Sequence, residues 1–237
     1  MRPCQVRSGC QTISPASARR RSGSSPVSSS AHAARNSWRW AERLRQEFLA
    51  ACAELDTAEE PRLQLGEAGE IVWHPDRTWH GRTYVPATSL TSGGYELFGY
   101  VRFVPAAGGG QPSEFSAHAD FTAEIAQRNP DWQMDLCEEV IGAWRGHNGA
   151  VAAMTLVWGH PLVSGGRIAT AELADLAVDQ CELVNQRFTL IAPDDYRHDL
   201  LEIKLFGARG EELARESLYA GDDETGPEDE RGAAETG

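Results

Sequence analysis

A chain of 237 residues with 41% hydrophobic and 24% charged side chains can bury a core, and its longest nearly apolar run, Ala150 to Trp158, is too short to cross a hydrocarbon layer about 30 Å thick. The formal charge of −13 is segregated: seven arginines precede Glu42, the first acidic residue, so everything from Glu42 onward carries a net −20. The short apolar run argues against a membrane span, and a body of that sign repels a polyanion, which argues for a small molecule or a protein as partner and against nucleic acid.

Residues 1–36 are rich in Ser, Arg, Ala and Pro and nearly lack large apolar side chains. Burial cannot offset the entropy of ordering such a stretch, which predicts a disordered leader. Its acid-free, Arg-rich composition fits an organelle transit peptide; the competing readings, on a cytoplasmic protein, are a nonessential leader or an upstream stretch translated from a start placed too early. Ser37 then stands as an N-cap, and Ala41, Leu44, Phe48, Cys52 and Leu55 recur at three- and four-residue spacing. Arg43 and Glu47 form an i,i+4 pair on the opposite side, so one amphipathic helix is expected over 37–57, ending before Pro61.

Trp73, His74, Asp76, Trp79 and His80 follow, two indoles, two imidazoles and an acid within eight residues. That composition suits the polar mouth of a ligand pocket, or else a loop whose tryptophans cap the core edge. Beyond it the pattern turns to strands. Residues around Tyr95–Val104 alternate but are partly apolar on both faces, whereas Phe115, Ala117, Ala119, Phe121, Ala123 and Ile125 alternate cleanly with Ser116, His118, Asp120, Thr122 and Glu124. The Gly-rich stretch Pro105–Pro112 between them reads as a hairpin loop. Residues 132–158 read as a long hairpin turning at Asn148-Gly149, with a bulge where Glu138-Glu139 shifts the phase. Arg167–Leu173, Val178–Ile191, Leu200–Gly207 and Glu211–Tyr219 supply further strands, the last two joined by a turn at Ala208-Arg209-Gly210. Trp132, Trp144 and Trp158 occupy strand positions suited to the core.

About nine or ten strands with a single helix predict a mainly β fold, an antiparallel sandwich or curved barrel. The expected organisation is a disordered leader over 1–36, one β-rich domain over 37–220 and a disordered acidic tail over 221–237.

Chemistry narrows by exclusion. The chain has no P-loop, no dinucleotide-binding glycine pattern, no zinc-type cysteine pairing and no nucleophile elbow. Five cysteines, an odd number without C-x-x-C, predict free thiols in a reducing compartment. Lys204 is the only lysine and falls on a strand where it points away from the apolar face, so lysine catalysis is set aside. His118 and Asp120, two apart on one strand, project from one face and have the spacing of the first two ligands of a 2-His-1-carboxylate iron site. His198 is available as the third ligand, and Arg209 to meet a cosubstrate carboxylate. This H-x-D, His, Arg order resembles in outline that of oxoglutarate-dependent oxygenases, a resemblance of four residues that implies iron as cofactor. The alternative is a solvent-facing or cross-strand polar pair. With no motif that specifies a reaction, the leading expectation is a soluble intracellular protein that binds a small molecule or a protein, and the second is an iron-dependent oxygenase using His118, Asp120 and His198.

Overall fold

The computed structural model describes residues 30–55, 64–106, 110–145, 149, 151–194 and 200–218, with the backbone alone for 30–39. Most of the leader, the acidic tail, His198 and the turn at 146–148 therefore lie outside the described residues. The chain divides into two units at residues 39 and 40, and the first contributes to the description only the start of the helix.

Among the described residues one α-helix, α1 (Ser30–Ala53), precedes twelve strands: β1 (Val72–Trp73), β2 (Arg77–Trp79), β3 (Arg82–Leu90), β4 (Glu96–Val104), β5 (Ser113–Thr122), β6 (Met134–Arg145), β7 (Val151–Pro161), β8 (Ile168–Leu173), β9 (Leu176–Glu182), β10 (Phe188–Asp194), β11 (Leu201–Phe206) and β12 (Glu212–Ser217). The helix starts seven residues before Ser37, because Ala31, Ala33 and Ala34 are strong helix formers that let it run through the expected cap. It ends at Ala53, where the N–H groups of Glu54 and Leu55 turn back to the carbonyls of Ala51 and Cys52. The stretch read as one strand over 178–191 is two, β9 and β10, joined by a turn that Val184 and Arg187 close.

All strand pairs are antiparallel and fall into three sheets. The first runs β1-β3-β4-β5 with β2 also on β3, the second β10-β7-β6 and the third β12-β11-β8-β9. The fold is a β-rich sandwich, the first of the two architectures expected. Phe48 of α1 packs with Ala87, Leu97, Val101 and Ala119 on one face of the first sheet, as the alternation of β5 predicted. The other face carries Tyr84 and Tyr100, which meet Met154, Leu156 and Trp158 of β7. Val157, between them in sequence, points the other way, into a cluster with Leu190 of β10 and Ile203 of β11. The second sheet is thus buried on both faces, and β7 reads as a continuous apolar run for that reason.

The expected bulge in β6 lies between Val140 and Gly142. There the ring of Trp79 lies on Gly142, so close that a Cβ would stand 2.5 Å from it. Of the three tryptophans assigned to the core, Trp158 is fully buried, whereas Trp144 is 40% exposed near the far end of β6. Lys204 does face away from the core, yet it is covered: its ammonium lies 2.5 Å from Glu172 and 3.6 Å from Glu202. The Glu172 hydrogen bond holds its pKa above the ordinary value.

Gly142→Ala drives a methyl group into a large, rigid ring and is expected to cost about 1–3 kcal/mol, a fall of roughly 2–10 °C in Tm for a domain of this size. Adding Trp79→Leu should recover part of the loss. Equal Tm values for wild type and Gly142→Ala would show that the indole does not rest on the bulge.

Candidate functional site

The residues singled out in the sequence are distributed by the pleat. Trp73 points toward α1, its ring 6.1 Å from that of Phe48. His74, next along the chain, faces the second sheet and is 5% exposed, with its N–H donating to the Pro86 carbonyl at 3.0 Å. Asp76 is exposed. Trp79 rests on Gly142, and exposed His80 stacks on it at 4.1 Å from the left-handed first position of the β2–β3 turn. The structure keeps Trp79 and His80 together and separates Trp73 from His74 by the thickness of a sheet, since neighbours along an extended chain project to opposite faces.

His118 and Asp120 do share a face of β5, and it is the face that turns toward the second sheet. His118 Nε2 lies 2.8 Å from Oε1 of Glu139 on β6, and its ring packs against Tyr100 at 5.9 Å. Asp120 Oδ1 accepts the Phe121 N–H at 2.7 Å. Arg209 is exposed in the β11–β12 turn, 3.7 Å from Glu211. Among the described residues no three His, Cys, Asp or Glu side chains are placed to hold one metal ion.

One concave site among the described residues is not one that the sequence singled out. A cleft of about 360 Å³ opens between the first and second sheets, and its polar lining includes Glu96, Asp135, His160 and Arg187. Each comes from a different element. Glu96 begins β4, with Thr88 of β3 on the same face; Asp135 of β6 stands opposite His160 of β7 in the ladder; Arg187 closes the β9–β10 turn. Gly159 makes the Asp135 and His160 pairing possible, because a Cβ there would lie 2.1 Å from the Asp135 carbonyl.

Burial dominates the electrostatics of this cleft. It pushes the Glu96 carboxyl up to about 7, with the Asp135 charge adding to the effect and a hydrogen bond from Thr88 opposing it. Asp135 is raised for the same reason, less the attraction of His160. His74 sits beside the wall that His160 and Arg187 form: burial, then the charges of Arg187 and His160, take its pKa down to about 3. The Gly159 carbonyl favours its protonated form slightly, but neither ring nitrogen reaches hydrogen-bond geometry with a protein partner. Cys137, two residues along β6 from Asp135, is held as a thiol, its pKa driven well up by burial and by four nearby carboxylates including Glu96 and Asp135. Two carboxyls raised by burial, Glu96 to about 7, together with an imidazole and a guanidinium, can bind a polar ligand or move a proton; a thiolate nucleophile is not available there.

No protein-family model, curated protein or solved structure matches the chain.

These shifts give opposite pH dependences. Between pH 4.5 and about 7 the folded protein keeps a proton on Glu96 that the unfolded chain has released, so this group lowers stability as pH rises through that window. His74 stays neutral when folded and takes up a proton when unfolded between pH 6.5 and about 3, so it lowers stability as pH falls. Glu96→Gln should therefore raise Tm more at pH 8 than at pH 5, and His74→Leu more at pH 4 than at pH 8. Tm profiles parallel to that of the wild type would show that neither group titrates as its surroundings dictate.

Proposed function

We propose that the protein binds a small polar molecule in the cleft between its first and second sheets and acts by holding it. The observation that carries this reading is the pair of carboxylates, Glu96 and Asp135, turned toward a common cavity from two different sheets. Burying two acids side by side opposes folding unless the space between the sheets has a use, and a bound ligand supplies one. The negative field of the chain favours such a ligand over a nucleic acid. The thiols of Cys52, Cys137 and Cys181 are unpaired, which fits the reducing cytoplasm as the compartment in which it acts. No helix among the described residues is long and apolar enough to cross a membrane.

A second reading shares the site. Carboxyls raised toward neutrality by burial are suited to general acid–base work, with Glu96 and Asp135 exchanging a proton with a bound substrate. Metal chemistry through His118 and Asp120 draws less support, since the first is engaged by Glu139 and the second accepts the Phe121 N–H, and His198 lies outside the described residues.

Leu90 lines the cleft and is 47% exposed, so Leu90→Trp fills the cavity without invading a core cluster. A panel of polar metabolites screened by thermal shift should contain a compound that raises the wild-type Tm by about 5–10 °C at a hundredfold excess over its Kd, and the Trp variant should lose that shift. A shift preserved in Leu90→Trp, or a panel without a binder at millimolar concentration, would overturn the assignment of the cleft.

A further inference from the structure

The cleft carries charge of both signs. Glu96 and Asp135 bring carboxyls to it from the first and second sheets, and Arg187 brings a guanidinium from the β9–β10 turn. Among the described residues no ion pair includes any of the three, although ten are formed elsewhere in the molecule, Arg77 with Asp179 among them. A guanidinium lining the same cavity as two carboxylates without pairing with either is held apart from them by the fold. The Arg187 charge lowers the pKa of His74, and the His160 charge acts on both His74 and Asp135.

We infer that the cleft takes a small amino carboxylate, its ammonium at Glu96 and Asp135 and its carboxylate at Arg187. The inference rests on the reading of the cleft as a ligand site and adds the class of ligand. A carboxylate matches the planar fork of an arginine, which two parallel N–H···O bonds can engage. An ammonium carries three donors and finds two carboxylates that form no ion pair among the described residues, with Glu70 also on the lining of the cleft. A simple amine would leave Arg187 without a partner, a simple acid would leave the two carboxylates without one, and among the described residues no three His, Cys, Asp or Glu side chains are placed to hold a divalent cation. The volume of about 360 Å³ lies at the small end of ligand cavities, which fits a molecule of amino-acid size.

Titration calorimetry on the full-length protein tests this with α-amino acids and a series of ω-amino carboxylates of increasing length, against butylamine and butyrate as singly charged controls. At least one amino carboxylate should bind below 1 mM and at least tenfold more tightly than either control. Its affinity should rise about tenfold from pH 6 to pH 8 with release of a proton, because the ammonium displaces the one that Glu96 holds. Arg187→Gln should abolish the preference over butylamine, Arg187→Lys should restore part of it, and Glu96→Gln should abolish the preference over butyrate; circular dichroism confirms that each variant is folded. Butylamine or butyrate binding as tightly as any amino carboxylate would overturn the inference and leave the cleft as a ligand site. Failure of the whole series to bind would also overturn it, and the Leu90→Trp screen then decides separately whether the cleft binds anything else.

Discussion

The second sheet is covered on both faces, and most of the structure follows from that. Three strands, β10, β7 and β6, supply alternate side chains to two different cores: Met154, Leu156 and Trp158 to one, Val157 and Leu190 to the other. Away from the end where Trp144 and Val151 are exposed, a sheet in that position has little solvent face on which to place polar residues. Each polar side chain it carries must be paired, sent to an edge, or left facing a cavity. Thr155 and Thr189 are instances of the cost, buried hydroxyls without a protein partner.

The acids of β6 show how the constraint creates chemistry. Asp135 and Glu139 project toward the first sheet and Glu138 toward the third. Glu139 reaches the sheet edge and meets His118, so its charge is accommodated. Asp135 has no such outlet and shares the cleft with Glu96. Glu138 points the other way, where burial and the neighbouring Asp194 raise its pKa to about 7. The same strand thus yields a surface contact, a cavity wall and an interior acid, separated only by which face each residue occupies and how near it lies to an edge.

This also explains what could be read without coordinates. The β class, the helix, the alternation of β5 and the bulge of β6 follow from local patterns, and they appear in the structure. The pocket residues did not, because grouping Trp73, His74, Asp76, Trp79 and His80 by sequence proximity ignores the alternation that sends Trp73 and His74 to opposite faces. Asp135 was legible only as a polar position between Met134 and Leu136, which in a one-sided sheet would face water. The signal that it faces inward lies in another strand: the unbroken apolar run of β7 implies burial of both faces, and a neighbour in the ladder inherits that environment. Arg187 carries no pattern, since its place depends on a turn inside what reads as one continuous strand.

The charge asymmetry of the sequence meets the cleft at this point. A field set by a net charge of −13 attracts cations and repels anions, so on field alone a carboxylate would be kept away from Arg187. A molecule bearing both charges has no net charge to be repelled. The field instead acts on its dipole, and the local groups fix the sense: two acids toward the ammonium, one guanidinium toward the carboxylate. On the proposed reading, a guanidinium that forms no ion pair with its acidic surroundings is what would let an acidic protein bind a carboxylate. Were the guanidinium paired with Asp135, both charges would be neutralised and only shape would remain to select a ligand.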